Sequence, residues 1–104
     1  MIEEVVQDVQ WTPSAKNSFN KIVVYLRREW TEKEVERFID RTEKMINSLK
    51  CYPEMCRPSV KRKHVRIGIL DKHTQIVYHY KPGKKRLEIL LFWGMKQDPA
   101  GFKY

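Results

Sequence analysis

The stretch SVKRKHVRIGIL, residues 59–70, sets Lys61, Arg62, Lys63, His64 and Arg66 against a run of β-branched and apolar residues. Cations this closely spaced suit a phosphate or a carboxylate, and an arginine in mid-strand can fork onto either in a fixed orientation. By strand alternation Arg66 takes the face opposite Val65, Ile67 and Ile69, which are expected in the core. The nearby groups able to move a proton are His73, His79 and Tyr78, with Tyr104 at the last position. A histidine titrates near ~6.5 and suits proton transfer at neutral pH. Each residue also has a plainer use. Strand tyrosines pack, His73 in DKHT can serve a turn, and Lys61 to Lys63 can guard a strand edge against aggregation.

Charge narrows the partner. Residues 1–52 hold nine Lys/Arg and nine Asp/Glu, whereas residues 53–104 hold twelve against four, so the whole net charge of +8 sits in the second half. That asymmetry points to a polyanionic partner, either nucleic acid or an acidic protein segment. Cys51 and Cys56 in CYPEMC lack the second ligand pair of a structural zinc site. Reduced thiols, no metal and no cofactor are therefore expected. The opening MIEEVVQDVQW carries three acids and no apolar signal core, and no apolar run approaches the ~20 residues of a membrane span. A cytoplasmic protein without membrane contact is the expectation.

The elements that must position these residues follow from periodicity. Residues 4–10 alternate weakly and predict a first strand. Thr12 is a candidate N-cap with Pro13 at the first helical position, and Ala15, Phe19, Ile22, Val23 and Leu26 recur at helical spacing to about Trp30. Thr31 and Glu34 in TEKE form a capping box. Val35, Phe38, Ile39, Thr42, Met45, Ile46 and Leu49 then make one apolar stripe, so two helices fold back as a hairpin. Pro53 and Pro58 leave a loop over residues 51–60. Beyond it the period becomes two. Val65, Ile67 and Ile69, then Ile76, Tyr78 and Tyr80, then Leu87, Ile89 and Leu91 alternate with their neighbours, separated by DKHT and KPGKK. The fold class is α+β in one domain over residues 1–104: an N-terminal strand, an antiparallel helical hairpin, then a three-stranded antiparallel meander.

This order, with the stretch AKNSFNKIVVYLRREWTEKEVERFIDRTEKMINSLKCYPEMCRPS, the strand VRIGIL and the ending RLEILLFWGMKQDP, resembles the RelE/ParE toxin family. Its members are the toxin halves of bacterial type II toxin–antitoxin (plasmid stabilization) systems. The likeness runs from residue 4 to about 100 and includes a closing W-x-x-K-x-D-P at Trp93, Lys96, Asp98 and Pro99. It implies a toxin held inactive, as a hetero-oligomer, by a cognate acidic antitoxin. RelE-like members cut mRNA on the ribosome without a metal, whereas ParE-like members poison DNA gyrase and have no nuclease site.

Metal-free RNA cleavage needs a base for the 2′-OH, an acid for the 5′-oxygen and fixed cations for the phosphate. The resemblance makes Arg66, His73 and Lys96 the candidates for catalysis. Lys61, Arg62, Lys63, Arg66, His79 and Trp93 are those for binding nucleic acid or antitoxin. Ribonuclease members place His, Tyr or Arg where this chain has Trp93, Gly94, Met95, Lys96 and Gln97. The alternatives are a plain nucleic-acid-binding module, for which no recognised binding motif stands in the sequence, and a degenerate, non-toxic family member.

Overall fold

The computed structural model describes residues 4–94 and 101–104. The chain runs β1 (Asp8–Trp11), α1 (Pro13–Glu29), α2 (Glu32–Cys51), β2 (Arg57–Pro58), β3 (Val65–Ile69), β4 (Thr74–Lys81), a 3₁₀ turn (Pro82–Lys84) and β5 (Arg86–Gly94). The helices start where their caps predict. Thr12 Oγ1 accepts from Ala15 N at 3.1 Å, and Thr31 Oγ1 accepts from Glu34 N at 3.3 Å. Only that half of the α2 capping box forms, because the Glu34 carboxylate turns to Arg37 at 2.8 Å instead.

Both helices lie on one face of a five-stranded sheet of order β1-β5-β4-β3-β2. The expected meander β3-β4-β5 is antiparallel. The N-terminal strand joins its far side, parallel to β5. It is shorter and later than residues 4–10, because residues 5 and 6 have other work. Val5 N and Val6 N both donate to Lys50 O, at 2.9 and 3.0 Å. They thereby satisfy a carbonyl that the end of α2 would leave open.

The phase of β5 differs from simple alternation. Val77 pairs with Leu91 but Tyr78 pairs with Ile89, so Leu90 is an extra residue, a β-bulge. Beyond it Phe92, and not Leu91, faces the helices. Phe92 is fully buried and meets Trp11 and Phe19 at centroid distances of 5.2 Å each. The freed backbone groups are taken up by α1. Thr12 Oγ1 donates to Leu90 O at 2.9 Å, and Ser18 Oγ accepts from Phe92 N at 2.9 Å.

Two apolar clusters result. The larger lies between helices and sheet and includes Ala15, Phe38, Leu49, Ile76, Tyr78, Leu87, Ile89 and Phe92. The smaller lies on the other face, where Val65, Ile67 and Val77 are buried beneath Leu90, Leu91, Phe102 and Tyr104. Ile69 does not join the core as expected; at the end of β3 it is 61% exposed. Gly68 is needed where it is. A Cβ there would lie 2.8 Å from Cys56 Sγ and 3.2 Å from Ile76 Cγ2.

Candidate functional site

The loop 59–64 is organised by Ser59. Its hydroxyl accepts from Lys61 N and Arg62 N at 3.1 Å each and donates to Tyr104 O. Lys61 Nζ donates to Phe102 O at 3.3 Å, Arg62 Nε donates to Lys103 O at 3.2 Å, and the Arg62 guanidinium lies 4.8 Å from the Tyr104 ring centre. The loop ends at His64, whose φ of 62° is left-handed. That turn brings its ring parallel to His79 at 6.2 Å. Trp93 lies on the same sheet face, 5.2 Å from Phe102. Lys61, Arg62, His64, His79 and Trp93 thus border the open face of the sheet, with Lys63 in the same loop.

Arg66 does not join them. It sits opposite Tyr78 in the sheet, on the helix side. There its guanidinium donates to Cys56 O at 2.7 Å and Glu54 O at 3.1 Å. The Glu54 carboxylate stands 3.8 Å away. The partners this arginine holds in the free chain are therefore the carbonyls of the loop between α2 and β2. The buried Tyr78 hydroxyl pins the same loop by donating to Pro53 O at 2.7 Å. Burial, with the Cys56 side chain next, pushes that phenol well above its ordinary range, which suits a fixed donor and not an acid–base group.

His73 is exposed in the β3–β4 turn, where its backbone N–H closes the turn on Asp71 Oδ1 at 2.8 Å. Six residues of extended chain, roughly 20 Å at the usual strand rise, separate it from His79. His79 stands 3.7 Å from Glu88 Oε1, and Lys81 Nζ holds that same oxygen at 3.2 Å. Burial first, then Lys81, depress the His79 pKa, with His64 adding to the effect and Glu88 opposing it. The shift favours the neutral imidazole. Lys96 lies outside the described residues. Among those residues no three His, Cys, Asp or Glu side chains cluster as metal ligands, and no helix is long and apolar enough to cross a membrane.

A concavity of about 590 Å³ is lined by Val5, Tyr52, Pro53, Glu54, Met55 and Tyr80. It is an apolar groove with one carboxylate, which suits contact with a protein surface better than acid–base chemistry. Two features escaped the sequence reading, the hub at Ser59 and the packing of residues 101–104. The only hint of the second is the aromatic pair Phe102 and Tyr104 flanking Lys103.

Residues 9–99 match the family model described as the ParE toxin of the type II toxin–antitoxin system, parDE. The chain belongs to the ParE toxin family. Solved structures agree on the fold. A chain from the chromosomal ParDE TA system of P. aeruginosa superposes with a TM-score of 0.71 at 16% identity, covering 88% of this chain and 99% of that one. A YoeB/ParE toxin from Agrobacterium tumefaciens gives 0.65 at 15% identity, covering 85% and 98%. No curated protein matches the sequence. The two helices and mixed sheet are thus those of a ParE-type toxin, and the family implies an antitoxin as partner.

Proposed function

We propose that this ParE-family chain arrests bacterial growth by binding its target, DNA gyrase, without cutting RNA, and that a cognate acidic antitoxin neutralises it. The observation that carries this reading is that the described catalytic candidates, Arg66 and His73, stand apart from each other and from His79. Arg66 is engaged with loop carbonyls on the helix side of the sheet, His79 faces the other side, and His73 stands at the far end of the β3–β4 hairpin. In-line attack on a phosphate needs base, acid and cation within a few ångströms of one reacting centre. A gyrase inhibitor needs only a surface, and the apolar groove beside Tyr52 and Met55 supplies exposed area for one.

The acidic antitoxin is supported by charge. The second half of the chain carries the whole +8, and complementary potentials speed and orient such encounters. The test is a supercoiling assay with purified gyrase and the purified chain. Dose-dependent loss of supercoiling, reversed by the acidic protein encoded beside the chain's own reading frame, is expected. Unchanged supercoiling in a chain that still stops growth contradicts the proposal.

A further inference from the structure

The open face of the sheet is covered, among the described residues, by one short segment, Gly101–Tyr104. Phe102 and Tyr104 lie over Val65, Ile67 and Val77, and Phe102 packs between Trp93 and Tyr104 at 5.2 and 6.1 Å. The backbone of the segment offers three carbonyls in a row, those of Phe102, Lys103 and Tyr104. They meet Lys61 Nζ, Arg62 Nε and Ser59 Oγ in turn. This is a recognition pattern in which two aromatic side chains enter an apolar face while side-chain donors read the backbone between them. Two of the occupant's three polar contacts come from exposed lysine and arginine side chains, whose carbonyl partners water can also serve; the third is the Ser59 hydroxyl. Its middle residue, Lys103, adds a positive charge to a segment whose carbonyls already accept from Lys61 and Arg62.

We propose that this face, bounded by Ser59, Lys61, Arg62 and Trp93, is a docking groove for an extended segment of a protein partner with an aromatic–acidic–aromatic pattern. Residues 101–104 occupy it in the free chain. The occupant on the page sets the spacing of the two rings and the carbonyl contacts. The unmatched Lys103 sets the charge that a better ligand carries. The partner segment binds by displacing residues 101–104, so an apolar face stays covered until the exchange. The inference holds whichever target the toxin has, because it uses only this face and its occupant.

The test uses a chain ending at Ala100 and two tetrapeptides, Gly-Phe-Lys-Tyr and Gly-Phe-Glu-Tyr, followed by two-dimensional NMR. A tethered segment acts at an effective concentration on the order of mM, so a free tetrapeptide need bind only in that range. The shortened chain should keep its far-UV dichroism. Both peptides should shift Val65, Ile67, Val77 and residues 59–64 in it, with Gly-Phe-Glu-Tyr about 2–5-fold tighter, the scale of one exposed ion pair. The full chain should respond several-fold more weakly, and Gly-Ala-Glu-Ala not at all. Equal shifts in both chains, or none at ~10 mM, overturn the proposal. So does unfolding of the shortened chain, which would make the segment a core element and not an occupant. Phe102→Ser with Tyr104→Ser in the full chain gives a second reading. This variant should admit Gly-Phe-Glu-Tyr as the shortened chain does, and failure to do so counts against displacement.

Discussion

Replacing Arg66 by Met keeps the aliphatic stem against the sheet and removes the guanidinium. If the arginine serves the loop, the loss is one of stability, and its size can be worked out. Two charge-assisted hydrogen bonds disappear, at 2.7 and 3.1 Å to carbonyls of Cys56 and Glu54. Hydrogen bonds to charged groups are worth roughly 1.5–3 kcal/mol each when buried. The side chain is 25% exposed, and the Glu54 site is open enough for water to replace the donor. The part-buried Cys56 carbonyl has less access to water, so most of the cost falls there. The 3.8 Å pair with an exposed Glu54 adds little. About 1–2 kcal/mol in all is expected, or a Tm lower by roughly 4–12 °C for a domain of this size. Urea unfolding followed by far-UV dichroism measures it. Combining Arg66→Met with Tyr78→Phe, which frees Pro53 O in the same loop, should give a non-additive cycle because both act on residues 53–56. An Arg66→Met chain of unchanged stability that has lost all toxicity would refute the reasoning, because its guanidinium would then serve a ligand.

Gly68→Ala should destabilise by about 1–3 kcal/mol through overpacking against Cys56 Sγ at 2.8 Å, and Cys56→Ala in the same chain should recover part of it in urea unfolding. Thr12→Ala removes both the α1 cap and the donor to Leu90 O, and should cost about 1–3 kcal/mol by the same measurement. His79 has a depressed pKa in the folded chain, so between its two pKa values the unfolded chain binds more protons. Its stabilising contribution is complete above the unfolded value near ~6.5 and is lost as pH falls through the lower folded value. The difference in urea midpoint between pH 7.5 and 5.5 should shrink in His79→Gln.

What the sequence disclosed was local. Thr12–Pro13 and TEKE mark the helix starts because capping is a contact between residues three apart. The meander is legible because alternation is a nearest-neighbour pattern. The phase of β5 is not, since its bulge is held by Thr12 and Ser18, more than seventy residues away. Reading Leu91 as the core residue followed from the pattern, and placing Phe92 there depends on that distant support. Arg66 shows the same limit. Its side of the strand was legible, but its partners are backbone carbonyls of a loop whose path no side-chain pattern records. The run of cations at 61–63 next to His64 was legible as a cluster in the sequence. The division of the candidate site between two sheet faces, and its cover by residues 101–104, emerged only with the tertiary contacts. Four residues are too few for any periodicity to announce their docking.

The central claim is that this ParE-family toxin stops growth without nuclease chemistry. Genome-wide mapping of mRNA 5′ ends in bacteria arrested by induction of the chain tests it most directly. Ends indistinguishable from those of uninduced cells, at matched growth arrest, are the predicted result. New ends inside translated codons, appearing within minutes of induction and absent with a folded Arg66→Met chain, would contradict it.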